Sequence, residues 1–166
     1  MSVDLRAARP GDESLLLGLI RELAEYERLV HEVSATPELL AEHLFGEHAT
    51  AEAVIAERDR EALGFALFFR NFSTFLGKPG LYLEDLFVRE SARGQGIGRA
   101  LLEHVAAIAR ERGYGRMEWS VLDWNRPAIE FYEAIGARPM SDWTVYRLSR
   151  AGKVPRPRKT RARGPG

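Results

Sequence analysis

Tyr82-Leu83-Glu84-Asp85-Leu86-Phe87-Val88 is an apolar run that carries two adjacent carboxylates. It leads closely into Arg93-Gly94-Gln95-Gly96-Ile97-Gly98 and then into a long amphipathic stretch, Arg99–Arg112. A strand, a glycine-rich turn and a helix in that order make a pyrophosphate cradle. Glycines let backbone N–H groups approach an anion closely, and the helix start adds partial positive charge. Gly94, Gly96 and Gly98 fit this use, with Arg93 and Arg99 able to add charge. No P-loop string is present, and the spacing departs from the dinucleotide GxGxxG fingerprint. The layout implies an enzyme that holds a phosphate-bearing cofactor and does proton chemistry beside it. Taken alone, a tight loop whose glycines merely turn the chain is the competing interpretation.

With 166 residues the chain is long enough for one domain with one core and no staples. It has no cysteine, which excludes disulfides, thiolate metal sites and a cysteine nucleophile. The four histidines show no HExxH-type spacing, and no GxSxG nucleophile elbow occurs, so no metal and no covalent acyl-enzyme are expected. No leader-like N-terminal run or long apolar stretch stands out, which reads as a cytoplasmic protein without a membrane segment. The formal net charge of zero hides an asymmetry. Six of the 24 basic residues fall in residues 151–166, which hold no acid, leaving 18 basic against 24 acidic groups in residues 1–150. An acidic body suits a cationic substrate and argues against nucleic acid as its main partner. The basic tail, rich in proline and glycine, reads as a solvated disordered end, with weak nucleic-acid or membrane attraction as its alternative use.

Residues 3–8 read as a strand, and Asp12 as the N-cap of a helix running to about Tyr26 with Leu15, Leu16, Leu19, Ile20 and Leu23 at helical spacing. Thr36-Pro37 reads as a cap and first position of a second helix, with Leu39, Leu40 and Leu44 as its buried face. Strands follow at 53–56 and 64–69, joined by a hairpin turn in Glu57–Glu61. Residues 71–80 read as a loop and 81–88 as a strand. The long helix ends at Gly113. Met117–Leu122 reads as a strand, Asn125 and Pro127 open a helix that stops at Gly136, and Trp143–Leu148 reads as a closing strand. The order β-α-α-β-β-β-α-β-α-β implies an α/β (α+β) fold, a mixed sheet with helices on both faces.

Arg93-Gly94-Gln95-Gly96-Ile97-Gly98 resembles the R/Q-x-x-G-x-G/A signature of the GNAT superfamily of acetyl-CoA-dependent N-acetyltransferases. Asn125-Arg126-Pro127-Ala128-Ile129-Glu130-Phe131-Tyr132 is similar to that family's N-x-x-A-x-x-F-Y segment. Tyr82–Asp85, Phe45–His48 and Val121–Asn125 further resemble the diamine (spermidine/spermine) and thialysine acetyltransferase branch. The resemblance covers residues 3–148. It implies a mostly antiparallel sheet, acetyl-CoA bound by residues 93–99 and Asn125, pantetheine paired to the backbone of Leu86, Phe87 and Val88, and a homodimer.

Amide formation from a thioester and an alkylamine needs a proton acceptor, because an amine with a pKa of about 10.4 is almost all ammonium at neutral pH. Glu84 and Asp85 are adjacent on a strand, so strict alternation would send them to opposite faces with only one facing the cleft. The resemblance implies Glu84 as general base through water and Asp85 as an amine contact, although ordinary strand-end salt bridges would also account for both. Tyr132 lies two helical turns after Asn125, and the resemblance implies that it protonates the departing thiolate, its alternative being a core aromatic. Asn125 is either an N-cap, a cofactor contact or both.

Tyr26, Glu27, Glu84, Asp85, Asp142 and Trp143 are candidates for recognising the amine, since carboxylates pair with ammonium and aromatic faces attract cations. The polyamine enzymes carry an extra acid before the aromatic residue of the preceding loop, and Ser73-Thr74-Phe75 has none. A shorter amine or a lysine-like side chain therefore fits better than a long polyamine. The rivals to a small-amine acetyltransferase are a non-catalytic acyl-CoA sensor and a protein or peptide N-acetyltransferase.

Overall fold

Five strands form one sheet in sequence order in the computed structural model, which describes residues 2–149. They are β1 (Asp4–Ala7), β2 (Glu52–Arg58), β3 (Glu61–Ser73), β4 (Lys78–Val88) and β5 (Met117–Trp119). The first four pair antiparallel and β5 pairs parallel to β4. The helices are α1 (Glu13–Tyr26), α2 (Pro37–Phe45), α3 (Ile97–Glu111) and α4 (Arg126–Ala134). The first compact unit ends at Asn125, and the second begins at Arg126 with α4. The basic tail, residues 151–166, lies outside the described residues.

The apolar faces of the helices decide the layering. Leu16, Leu19 and Leu23 of α1 and Leu44 of α2 meet Ala53, Ile55, Phe65 and Phe87 on one face of the sheet. Alternation sends Val54, Ala66, Phe68 and Leu83 to the other face, and α3 packs against β2, β3 and β4 with Leu101, Leu102 and Val105 buried. Each fully buried Leu or Phe side chain of this kind is worth about 1.5–3 kcal/mol in transfer free energy. The mixed, mostly antiparallel sheet with helices on both faces thus follows the sequence reading.

Several local expectations hold. Thr36 caps α2 by accepting from the Leu39 N–H at 3.2 Å, with Pro37 at the first turn. The β2–β3 turn is Asp59-Arg60, both with positive φ (52° and 69°), the two-residue geometry that matches strand twist. At Gly64 a Cβ would run into the Phe87 carbonyl, so a side chain there would force β3 and β4 apart.

Others are corrected. Asp12 occupies the N-cap position without capping, because its carboxylate is held by the Arg6 guanidinium at 2.8 and 3.0 Å and by the Arg9 N–H at 2.8 Å. Those bonds, Arg6's first, hold its carboxyl below the usual range. Most of the expected 71–80 loop is hairpin ladder, with Phe72 opposite Pro79 and Ser73 opposite Lys78. Leu39 is exposed, so the buried face of α2 is narrower than expected. β5 stops at Trp119 rather than Leu122. Trp143–Leu148 forms no strand, and Trp143, Val145, Tyr146 and Leu148 are exposed. β-propensity measures fit to a neighbouring strand, and without a ladder it does not make one.

Candidate active site

The two carboxylates are set by a β-bulge. Phe68 pairs with Leu83 and Leu67 pairs with Asp85, so Glu84 is an extra residue in β4. Alternation counted forward from Leu83 puts Glu84 on the α1 face. Counted back from Phe87, which packs in the α1–α2 core, it puts Asp85 on that same face. The expectation of opposite faces is therefore corrected: the inserted residue resets the pleat and turns both acids one way.

Asp85 is partly buried there, and its surroundings are acidic. Burial, followed by the charges of Glu84 and Glu27, pushes its carboxyl up to about 7. Glu27 follows the last residue of α1, and burial raises its carboxyl as well. Three acids from two elements thus converge in a way that disfavours full ionisation and favours an arriving cation. Glu84 itself is exposed.

β4 also changes neighbours at the bulge. Leu81–Leu83 pair with Met117–Trp119 of β5, whereas Asp85–Val88 ladder with β3 alone among the described residues. The β5-side edge of Leu86, Phe87 and Val88 can therefore accept an extended ligand by strand addition. Next to it, Gly94 and Gly96 both take left-handed conformations (φ 75° and 78°), with nothing within 4 Å of where a Cβ would stand. Gly96 is the N-cap of α3, and the first helical bond runs from the Ala100 N–H to the Gly96 carbonyl. The N–H groups of Ile97, Gly98 and Arg99 head the helix without intrahelical partners. An open glycine turn at a helix head fits a pyrophosphate.

The side chains around this turn have protein partners. Arg99 pairs with Glu103 at 2.8 Å one turn along α3. The Gln95 side-chain oxygen accepts from Arg58 at 3.0 Å. Arg93 donates from Nε to the Val88 carbonyl at 3.0 Å, and its guanidinium lies 4.5 Å from the centre of the Tyr26 ring. Tyr26 in turn donates its hydroxyl to Asn125 Oδ1 at 3.2 Å and meets the Trp124 ring at 6.0 Å. Asn125 is buried at 9% exposure.

Three residues here were not singled out from sequence: Arg28, Arg58 and Trp124. Arg28 lies 5.4 Å over the Trp124 ring and Arg58 holds Gln95. Trp124 stood within the Val121–Asn125 segment, so a signal existed for it. None existed for the two arginines, whose partners are distant in sequence.

The structure thus brings together Glu27, Glu84 and Asp85, and separately Tyr26, Arg93 and Asn125. Tyr132, Asp142 and Trp143 belong to the second unit. Tyr132 lies on α4, its ring 5.5 Å from that of Phe131. Trp143, 72% exposed, follows a turn in which its N–H reaches the Met140 carbonyl at 3.1 Å. Among the described residues no cluster of three or more metal-ligating side chains occurs, and no helix is long and apolar enough to cross a membrane.

The chain is similar to known proteins over most of its length. Residues 17–137 match the model of the acetyltransferase (GNAT) family. The chain is 36% identical over 158 residues to a thialysine N-epsilon-acetyltransferase of Sus scrofa, covering 89% of this chain and 92% of that one. It is 34% identical over 190 residues to an L-ornithine N5-acetyltransferase of Arabidopsis thaliana, covering 87% and 83%. Among solved structures, an integron cassette protein from the mobile metagenome of V. cholerae superposes with a TM-score of 0.75 at 32% identity, covering 90% of this chain and 93% of that one. With its glycine turn, its Asn125–Tyr132 segment and relatives of this closeness over most of its length, the chain belongs to the GNAT family of acetyltransferases.

Proposed function

We propose that this acetyltransferase moves an acetyl group from acetyl-CoA to a primary amine of a small cationic acceptor, of the lysine, thialysine or ornithine type, by direct attack in a ternary complex. The observation that carries this reading is the bulge at Glu84, which turns two carboxylates onto one face opposite Glu27. Relatives named for thialysine and L-ornithine support an acceptor with a side-chain amine, and one named for spermidine/spermine keeps polyamines among the acceptors to be tested.

Bound acetyl-CoA would supply the activated acyl group. Gly94–Arg99 would hold its pyrophosphate by backbone N–H groups, and the β5-side edge of Leu86–Val88, where Arg93 holds the Val88 carbonyl, would offer its remaining backbone groups to the pantetheine amides. Asp85 and Glu27 hold the acceptor's ammonium, whose charge relieves their crowding and draws the Asp85 carboxyl back down. Glu84, exposed to water, takes the amine's proton through a water molecule. Tyr132 is the proposed proton donor to the leaving sulfur. Asn125 fixes the turn that precedes α4.

Free-thiol release from acetyl-CoA, measured across lysine, thialysine, ornithine, spermidine, putrescine and a lysine peptide, tests this. Saturable turnover with an amino acid that bears a side-chain amine is the expected result. Turnover only with the peptide would make the chain a protein or peptide acetyltransferase. CoA binding without turnover on any of them would favour a sensor.

A further inference from the structure

Tyr26 was a candidate for cation recognition by its ring, yet the cation on that ring is the protein's own. The Arg93 guanidinium lies 4.5 Å from the Tyr26 centroid and 5.9 Å from that of Phe87, while its Nε holds the Val88 carbonyl. The Arg93 N–H also bonds the Glu90 carbonyl at 3.2 Å, so this residue is fixed at both ends. Gly94 and Gly96 follow it immediately in left-handed geometry, a conformation with few internal restraints of its own. Whatever fixes Arg93 therefore sets where the turn begins. The Tyr26 hydroxyl also holds Asn125, and the ring meets that of Trp124, over which Arg28 lies. Glu27, facing Asp85, is the next residue along from Tyr26.

We propose that Tyr26 is a positioning residue for the cofactor turn: its ring pins Arg93 against the end of β4 and its hydroxyl pins Asn125, so that the acidic end of α1 and the glycine turn are held as one piece. Tyr26 need not touch either substrate for this. Its contribution is to pre-order the turn, so that less freedom is lost when an anion is bound. The inference rests on the reading that residues 93–99 take the CoA pyrophosphate.

A double-mutant cycle on CoA affinity, read by isothermal titration calorimetry with the full chain, tests it. Tyr26→Leu is expected to weaken CoA binding about fivefold, the upper end of what an exposed cation–π contact corresponds to. Tyr26→Phe keeps the ring on Arg93 and loses only the bond to Asn125, so its affinity should fall between wild type and Tyr26→Leu. In an Arg93→Gln background, Tyr26→Leu should add less than about twofold, since the partner is already gone. The acetyl-CoA KM should follow the calorimetric loss while kcat changes little, a split that general loosening of the fold would not give. Tyr26→Met, long and apolar but ringless, replaces the leucine variant if that one folds poorly. Unchanged or tighter CoA binding in the ringless variants overturns the inference, as does a full fivefold loss repeated in the Arg93→Gln background. Wild-type protein that binds no CoA overturns the reading of the turn and this inference with it. Wild-type binding with indifferent Tyr26 variants overturns this inference alone.

Discussion

The two halves of β4 do different work. From Lys78 to Leu83 the strand is scaffold: β3 runs along one side, β5 pairs with Leu81–Leu83 on the other, and Leu81 and Leu83 are 1% and 2% exposed. From Asp85 to Val88 it keeps β3, leaves the β5 ladder, and presents acids and a backbone edge with no second strand beside it among the described residues. One inserted residue, Glu84, separates them. The bulge gives up local ladder regularity and in return brings two carboxylates to one face without disturbing the core on either side of it. Phe87 still reaches the α1–α2 core and Leu83 still faces the opposite layer, because the insertion shifts the pleat between them.

Removing the separator breaks the comparison most severely. Deleting Glu84 would flip every side chain from Asp85 to Val88 relative to the core, moving Phe87 out of its cluster and Asp85 toward the α3 layer. Loss of one buried Phe alone costs about 3–5 kcal/mol. A urea melt should show a variant largely unfolded in water. A deletion variant as stable as wild type within about 1 kcal/mol would mean that the bulge does not set the faces. Next in size, the double variant Glu84→Gln, Asp85→Asn keeps the bulge and removes the acids. General-base and cation-binding losses should lower kcat/KM for the amine by about 10²–10⁴, with the melt no less stable than wild type. Activity within about threefold would remove both acids from the chemistry.

What was readable in advance divides along the same line. Elements built from local signals came out close to their final bounds: Thr36-Pro37 began α2, Asp59-Arg60 turned the β2–β3 hairpin, and Gly113 followed α3. The glycine turn was likewise visible because left-handed residues at a helix head carry a local signature. The bulge was not, since the register of a strand belongs to its pair. The only trace was a carboxylate, Asp85, standing in the same alternation phase as Leu81, Leu83 and Phe87, directly after a second acid, Glu84. The Arg93–Tyr26 stack joins residues far apart in sequence and leaves no trace in either segment. Trp143–Leu148 shows the opposite error, where pleat-like alternation had no ladder to join.

Leu83→Ala sharpens the comparison from the scaffold side. Its neighbour in sequence, Glu84, is a proposed active-site acid, but its own side chain is in the core. Truncation should cost about 3 kcal/mol of stability and leave kcat nearly unchanged when assayed well below the melting temperature. A large fall in kcat with an unchanged melt would show that the two halves are not separable.

The smallest effect, and the most diagnostic of the acidic face, is the pH dependence of stability at Asp85. Its carboxyl stands at about 7 in the folded chain, chiefly through burial, against an unfolded value near 3.9. Between those values the folded state holds a proton that the unfolded state has released, so this group's contribution falls as pH rises. Below about pH 4 both states are protonated and the group is neutral to stability. Above about pH 7 both are ionised and the full penalty applies. Asp85→Asn removes that penalty, so its melt should match wild type at pH 4, pull ahead through pH 5–7, and stay ahead at pH 8 by about 1–2 kcal/mol, well under the full shift because the site is only partly shielded from water. Glu27→Gln should show a weaker form of the same curve, since its charge is the smallest of the three causes. An Asp85→Asn advantage that is constant from pH 4 to pH 8 would mean that the gain comes from packing, and that the acids on this face do not crowd one another.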